Sequence, residues 1–264
     1  MRRHTYQHNG MIFSYLDDDG PGQPLIALHA HWMEATTFEP LAAALHPVWR
    51  VIAPDQRGHG YTDHADSYTR QDYLDDLLAF FHHLEIPEAV LLGNSLGGVN
   101  AYQFAARYPD HVRALIAEEV GAEVHEDTSF ALAWAGSYPS WDALAERVGS
   151  RLTPYLQDSF RETSHGWQLA FDPEDTVASQ ISLNGSHWDD WLASSCPALL
   201  LRGRDSRVSN ADQMEQMVAR RPNTTMKILP GGHVLHHDKP VEFTAAVLAF
   251  LETLPMEARS AWAS

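Results

Sequence analysis

The sequence predicts an α/β fold in which helices cover both faces of a mostly parallel sheet. Short apolar runs typical of buried strands recur along the chain, and segments with helical apolar spacing separate them. The links between these segments are short, as they are in folds that alternate strands and helices. At 264 residues the chain can bury one sizeable core, so we expect a single main domain.

The N-terminal half contributes the first elements of this pattern. The pieces HTYQ and MIFSYL flank the turn signal HNG, which predicts a β-hairpin. The runs PLIALHA and WRVIAPD predict two buried strands, and TFEPLAAAL between them has helical spacing. Thr69 and Asp72 form a capping-box pattern, so a second helix should begin there and end before Pro87.

The second half continues the alternation around the middle of the chain and again near its end. The predicted segments are, in order, AVLLG (strand), LGGVNAYQFAARY (helix), VRALIAEE (strand), PALLLRG (strand), NADQMEQMVARR (helix), TTMKILP (strand), GGHVLHH (loop) and PVEFTAAVLAFLETL (helix). Because parallel strands need crossover connections, this order predicts a parallel sheet.

The alternation is interrupted between residues 124 and 194, a stretch rich in tryptophan with weakly periodic helices. Such an insertion resembles a helical lid above an apolar pocket, although its aromatic residues would also suffice for a small core of its own. We therefore predict a core domain of residues 1–123 and 195–264 and a lid of residues 124–194. The predicted pocket residues are Trp32, Asn94, Trp134 and Trp188.

Composition excludes several classes of partner. The net charge of −17 opposes binding to nucleic acid and to anionic membranes. No apolar run approaches the ~20 residues of a membrane span, and the N-terminus lacks the apolar core of a secretion signal. We expect a cytoplasmic protein that acts on a small molecule; the oligomeric state stays open.

Neither the cysteine nor the histidines predict a metal site or a disulfide. The single cysteine, Cys196, precedes an apolar run, which favours a buried and inert thiol. The 16 histidines include no cluster with the spacing of zinc ligands, so we expect no bound metal.

The segment Gly93-Asn94-Ser95-Leu96-Gly97 carries the strongest chemical signal. It fits the pattern G-x-S-x-G and lies between a predicted strand and a predicted helix, which is the context of a nucleophile elbow. Such a turn holds the serine in a strained conformation at the carboxyl ends of the strands, where α/β sheets bind ligands. The alternative is a glycine-rich turn in which Ser95 is idle.

A serine nucleophile needs a base, and a histidine near the C-terminus is the best candidate. His233 lies in LPGGHVLHH, just past the last predicted strand, and two glycines before it allow a sharp bend. His236 and His237 fit on spacing alone. We therefore predict His233 as the base.

These segments together resemble the α/β-hydrolase superfamily. The matching residues are LHAHW after the third strand, DQRGHG after the fourth, GNSLGG at the elbow and GGH before the final helix. The resemblance covers nearly the whole chain and implies an eight-stranded sheet with the lid inserted after strand 6. It also implies a Ser-His-acid triad that needs no cofactor, but it leaves the substrate open.

The triad acid departs from the usual pattern of the superfamily. Most members carry it three residues past the glycine that ends the seventh strand, where this chain has Ser206, with Asp205 one residue early. A minority places the acid after strand 6, and the matching position is Glu119. Because strand side chains alternate, only one of Glu118 and Glu119 can face the base. Glu119 is preferred, with Asp205 and Glu118 as alternatives, and a solvated strand end would explain both glutamates without catalysis.

The oxyanion hole is the second departure. The superfamily usually has His-Gly after the third strand, and this chain has His29-Ala30. Backbone N–H groups stabilise an oxyanion, so alanine is compatible with the role, and the expected donors are the amides of His31 and Leu96. His29 and the turn of residues 55–60 are expected to be structural.

The leading hypothesis is a serine hydrolase that cleaves a small, largely apolar carboxylic ester, or a lactone or thioester. Carbon–carbon bond hydrolysis and cofactor-free dioxygenation are possible with the same residues. A ligand-binding receptor on a hydrolase scaffold is the alternative from another class.

Overall fold

A computed structural model describes residues 1–255, and an eight-stranded sheet forms its centre. In chain order the strands are β1 (Arg2–His8), β2 (Met11–Asp17), β3 (Gln23–Leu28), β4 (Trp49–Pro54), β5 (Ala89–Asn94), β6 (Val112–Glu118), β7 (Glu123–Val124), β8 (Phe160–Thr163), β9 (Gly166–Leu169), β10 (Gly185–Ser186), β11 (Ala198–Gly203) and β12 (Thr224–Leu229). The main sheet has the order β1-β2-β4-β3-β5-β6-β11-β12. β2 pairs antiparallel with β1 and β4, and all other neighbours are parallel. The predicted eight-stranded, mostly parallel sheet is confirmed.

Helices connect these strands. In chain order they are α1 (Glu39–Leu45), α2 (Arg70–Leu84), α3 (Leu96–Arg107), α4 (Trp141–Val148), α5 (Thr153–Leu156), α6 (Pro173–Leu183), α7 (Trp188–Ala193), α8 (Ala211–Arg220), α9 (Leu235–Asp238) and α10 (Pro240–Leu251). Single 3₁₀ turns lie at Ala35–Phe38, Pro109–His111, Ser129–Trp134 and Gln157–Ser159. The predicted capping box at the start of α2 is present, since Thr69 and Asp72 exchange side-chain and backbone hydrogen bonds. α9 occupies part of the segment expected to be a loop.

Both faces of the sheet are buried, which explains why its inner strands are continuous apolar runs. In β3, Ile26 and Leu28 join the core cluster beneath α2 and α3. Leu25 and Ala27 point the other way, into the cluster beneath α1 and α10. The alternation of strand side chains thus divides one apolar run between two cores. The rigid sheet positions the loops at its carboxyl edge.

The chain between β6 and β11 forms an insertion that packs over this edge. It contains helices α4 to α7 and has its own apolar cluster around Trp134, Leu144 and Phe160. It also contains a β8–β9 hairpin and a short β7–β10 pair, which the helical pattern did not predict. The division at residues 124 and 194 stays a prediction, and residues 256–264 of the predicted core lie outside the described residues.

No helix within residues 1–255 is both long enough and apolar enough to cross a bilayer.

Candidate active site

Ser95 occupies the tight turn between β5 and α3. Its backbone angles, φ 51° and ψ −116°, lie in a region that residues with a Cβ rarely adopt. The Ser95 N–H donates to the carbonyl of Glu118 at 3.0 Å, which fixes the turn against β6. The neighbouring strand and helix therefore hold Ser95 in a strained conformation, as the elbow motif predicts.

Two glycines allow this turn to close. A Cβ on Gly97 would lie 2.1 Å from the carbonyl oxygen of Leu28, and a Cβ on Gly93 would lie 2.2 Å from that of Gly97. Both contacts are with backbone atoms, which cannot rotate away. The pattern G-x-S-x-G is thus a steric requirement of this turn.

Ser95 and His233 line one cavity of about 740 Å³ at the carboxyl edge of the sheet. The remaining walls come from the segment after β3, from the insertion and from the loop after β11. Its apolar lining includes Trp32, Met33, Phe130, Leu152, Leu156, Val208 and Val234. A cavity of this size fits a small organic molecule.

His233 is held from two sides. Its Nδ1 atom lies 3.3 Å from Oε2 of Glu119, and its carbonyl accepts from the Asn94 side chain at 3.0 Å. Within residues 1–255, no hydrogen bond joins the Ser95 hydroxyl to the His233 ring. Such bonds are often long without substrate and tighten when it binds. The two groups nevertheless share the cavity.

Glu119 is a buried carboxylate with several donors. Gly203 N–H donates to Oε1 at 2.5 Å, while the Ser206 hydroxyl and His233 both approach Oε2. Burial by itself would raise the pKa of Glu119, but the hydrogen bonds from His233 and Ser206, the charge of His233 and the Gly203 amide together lower it. Glu119 is therefore ionised at neutral pH and bonded to the candidate base.

The other two candidate acids have different partners. Asp205 is exposed, and its Oδ2 accepts from the Gly231 N–H at 3.3 Å rather than from His233. Glu118 is fully buried and accepts from both the backbone N–H (3.0 Å) and the ring (2.7 Å) of His236. The alternative of a solvated strand end is wrong for both glutamates, because both are buried and each binds a histidine.

His236 forms a second relay that sequence reasoning missed. Its Nε2 lies 2.7 Å from the Thr37 hydroxyl, so Thr37, His236 and Glu118 form a hydroxyl–imidazole–carboxylate chain. None of the three lines the cavity, and His236 packs against Phe38. The available signal in the sequence was that two adjacent glutamates could each pair with one of two histidines three residues apart. The third histidine of this segment, His237, is exposed.

The segment after β3 carries the predicted oxyanion donors. The backbone N–H groups of His31 and Leu96 donate no hydrogen bond to any acceptor in the described part of the chain. Trp32 has φ 69°, and its indole N–H contacts the Thr176 hydroxyl at 3.3 Å. His31 is tied through Nε2 to the Ser179 hydroxyl at 2.8 Å. Helix α6 of the insertion thus holds two consecutive residues of this segment.

One of the four predicted pocket residues, Trp32, lines the cavity. Asn94 is instead fully buried beneath it, where it bonds the carbonyls of Glu118 and His233. Trp134 packs behind Trp32, with ring centres 5.3 Å apart. Trp188 lies away from the cavity, where Arg220 stacks on its ring at 3.9 Å. Asn94, Trp134 and Trp188 therefore do not line the cavity: the Asn94 amide is taken up by backbone carbonyls, and an aromatic-rich stretch does not reveal which rings face inward.

Sequence reasoning also missed Tyr155, a cavity residue of the insertion. Its hydroxyl donates to Oδ1 of Asp238 at 2.8 Å, and Oδ2 of the same carboxylate accepts from the Gly232 N–H at 2.8 Å. Gly232 directly precedes His233, so this bridge links the insertion to the histidine loop. No motif marks these residues, because the contact joins segments 83 positions apart.

A second link joins the insertion to the core near Glu34. Its carboxylate bonds Arg161 of the β8–β9 hairpin and is 3% exposed. Burial raises the pKa of Glu34 to about 7, which Arg161 opposes and Asp55 reinforces. The ion pair therefore compensates only part of the cost of burying this charge.

Metal and thiol chemistry receive no support from the described residues. Within residues 1–255, no group of three or more His, Cys, Asp or Glu side chains could hold a metal ion. Cys196 is partly buried and contacts Arg221, and burial raises the pKa of its thiol. A thiol with a raised pKa is a poor nucleophile at neutral pH.

The sequence and the fold both resemble those of known hydrolases. A model of the alpha/beta hydrolase family matches residues 25–247. The 2-(acetamidomethylene)succinate hydrolase of Mesorhizobium japonicum is 25% identical over 264 residues, covering 92% of this chain and 93% of that protein. The 2-hydroxy-6-oxo-2,4-heptadienoate hydrolase of Pseudomonas putida is 30% identical over 224 residues, covering 75% and 78%. A crystal structure of E-2-(acetamidomethylene)succinate hydrolase superposes with a TM-score of 0.87 at 22% identity, covering 96% of this chain and 99% of that one.

Proposed function

We propose, since this chain belongs to the alpha/beta hydrolase family, that it is a serine hydrolase that cleaves a small carboxylic ester, lactone or thioester. One observation carries the proposal. A strained Ser95 and a His233 bonded to a buried carboxylate line the same largely apolar cavity. This arrangement supplies a nucleophile, its base and space for an acyl group.

The reaction follows from the roles of these groups. Ser95 Oγ attacks the acyl carbon while His233 takes its proton, and His233 then protonates the leaving alcohol or thiol. Glu119 orients the ring of His233 and stabilises its protonated form. The amides of His31 and Leu96 stabilise the oxyanion. Water activated by His233 then releases the acid and restores Ser95.

A fluorophosphonate tests the assignment directly, because it phosphonylates an activated serine. Intact-mass measurement should show one added phosphonyl group in the wild type, mapped to Ser95. Ser95→Ala should take up none and should lose turnover of a short-chain aryl ester by about 10⁶-fold. Ser164→Ala, in the exposed turn between β8 and β9, is the matched control and should behave as wild type. Unlabelled wild type, or ester turnover that survives Ser95→Ala, would contradict the proposal.

Carbon–carbon bond hydrolysis is the second candidate, favoured by the relative from Pseudomonas putida. The compound in that relative's name, 2-hydroxy-6-oxo-2,4-heptadienoate, has no ester bond, so its hydrolysis must break a carbon–carbon bond. Loss of the dienol absorbance of this compound, alongside the aryl-ester assay, distinguishes the candidates. Faster turnover of the dienoate at equal concentration would favour the second one.

A further inference from the structure

His31 lines the cavity that Ser95 also lines. The residue is 7% exposed, and Nε2 of its ring is bonded to Ser179. The other ring nitrogen, Nδ1, has no partner in the described part of the chain. It is also absent from the buried polar atoms that are sealed off without a partner, so the surrounding protein leaves Nδ1 accessible.

A chain of buried hydrogen bonds determines which ring nitrogen of His31 carries the proton. The Ser179 hydroxyl lies 2.8 Å from His31 Nε2 and 2.7 Å from the Tyr73 hydroxyl, and both hydroxyls are buried. The Tyr73 hydroxyl has no other hydrogen-bond partner within residues 1–255. In one arrangement both hydroxyl protons find acceptors: Tyr73 donates to Ser179, and Ser179 donates to His31. Nε2 then accepts, so the ring proton is on Nδ1.

Each of the other arrangements leaves one buried hydroxyl proton without an acceptor. If His31 donated from Nε2 and Ser179 donated to Tyr73, the phenolic proton would be buried without an acceptor. If His31 and Tyr73 both donated to Ser179, the serine proton would be stranded instead. Unsatisfied buried donors are rare in proteins for this reason.

The surroundings also disfavour a charged ring. Burial, followed by the nearby His59, Arg70 and His29, lowers the pKa of His31 well below its ordinary value. The ring stays uncharged at neutral pH, and its single N–H group is the accessible one on Nδ1. An uncharged donor of this kind does not compete with His233 for the proton of Ser95.

We infer that the Nδ1–H group of His31 is a further catalytic donor, which hydrogen-bonds the acyl oxygen of the substrate. The inference rests on the proposed function, because that oxygen becomes an oxyanion only if Ser95 attacks the acyl carbon. A donor oriented before the reaction stabilises the oxyanion more than the ground-state carbonyl. Ser179 and Tyr73 are then positioning residues, which act through the tautomer of His31.

Substitutions at His31 remove the ring but keep the backbone N–H group, so they test the ring donor separately from the backbone donor. His31→Leu should lower kcat for an aryl ester by about 100-fold while KM changes less than about threefold, the scale of losing one oxyanion donor. His31→Asn keeps an N–H donor near the Nδ1 position and should recover at least about tenfold of that loss. His165→Leu, in the exposed β8–β9 turn, is the control and should keep wild-type kcat.

The hydrogen-bond chain from Tyr73 through Ser179 to His31 is tested by the position of the ring proton on His31, which a purely structural role would not change. The ¹⁵N shifts of His31 should report a proton on Nδ1 in the wild type. Tyr73→Phe and Ser179→Ala should transfer part of that population to Nε2 and lower kcat by about tenfold. If His31→Leu fails to fold, these two variants decide alone: an Nε2 proton in the wild type, or unchanged kcat in both, overturns the inference.

Phosphonylation separates this inference from the proposed function. If the wild type and His31→Leu are both labelled at Ser95 but have equal kcat, the role of His31 is wrong and the serine mechanism stands. If wild-type Ser95 is not labelled, the mechanism fails and the inference fails with it.

Discussion

Replacing Glu119 by glutamine changes one atom at the centre of the site and has a definable consequence. In the protein the carboxylate accepts three donors: the backbone N–H of Gly203, the Ser206 hydroxyl and His233. Glutamine offers one acceptor oxygen and one NH₂ group. The Gly203 N–H cannot turn away, whereas the Ser206 hydroxyl can rotate and accept. The amide oxygen should therefore remain beside Gly203, and the NH₂ group should face His233.

The magnitude follows from this orientation. An NH₂ group facing Nδ1 of His233 forces the ring proton onto Nε2, which is the nitrogen that must accept the proton of Ser95. The imidazolium formed during the reaction also loses its negative partner. Loss of the orienting carboxylate in serine enzymes costs about 10²- to 10⁴-fold in kcat, or about 3 to 5 kcal/mol. KM should change little, because Glu119 does not line the cavity.

Steady-state hydrolysis of a short-chain aryl ester measures the effect, with thermal melting as the check on folding. Asp205→Asn is the matched control, since Asp205 bonds Gly231 and not His233. Asp205 also lines the cavity, but its exposed bond to Gly231 is long, so the variant should keep kcat within about threefold of wild type. A larger loss in Asp205→Asn than in Glu119→Gln would transfer the role of acid to Asp205 and refute the reasoning.

A double variant sharpens the test. Ser206 already lies within hydrogen-bond distance of the Glu119 carboxylate, at the place where most relatives of this fold carry the acid. Glu119→Ala removes the carboxylate and leaves space beside His233. Adding Ser206→Asp should then restore kcat by about tenfold or more over Glu119→Ala alone.

Three further results are expected. Burial raises the pKa of Glu34 from 4.5 to about 7, so the contribution of Glu34 to stability should be complete below about pH 4.5 and fall by on the order of 3 kcal/mol as pH rises through 7; the difference in unfolding free energy between wild type and Glu34→Gln, measured by denaturant across this pH range, should follow that loss, and a constant difference would contradict it. Gly97→Ala places a methyl group 2.1 Å from the Leu28 carbonyl and should cost about 3 kcal/mol or more in unfolding free energy, and wild-type stability would refute the steric argument. Tyr155→Phe removes the bond to Asp238 and should lower kcat by about tenfold with a small change in melting temperature; an unchanged kcat would show that the bridge does not position the histidine loop.

The fold was predictable because each buried strand is a short apolar run with a helix after it. β3, β5 and β11 need no tertiary information, since burial on both faces leaves few polar residues in them. The β8–β9 hairpin was not predictable, because Phe160 is the one buried residue in FRET and GWQL, which is too few to impose alternation. Its pairing depends instead on packing against the rest of the insertion.

The residues of the candidate site also differ in how far the sequence predicts them. Ser95 could be placed from local sterics, since the elbow needs its glycines at fixed positions. His233 could be proposed from its place past the last strand and the two glycines before it, whereas Glu119 depended on the family pattern; the two side chains lie 3.3 Å apart. The partners of Glu118 and His31 could not be assigned, because His236 and Ser179 lie 118 and 148 residues away along the chain. Pairings over such separations are set by the packed fold, for which no local periodicity exists.

The position of Glu119 at the end of β6 has a practical consequence for engineering. In the proposed mechanism the loop after β11 does not supply the triad acid, so Arg207 and Val208 border the cavity without a part in proton transfer. Libraries randomised at these two positions could change which acyl groups are accepted while the reaction machinery stays intact. Ser206 should be left out of such a library, because its hydroxyl bonds Glu119.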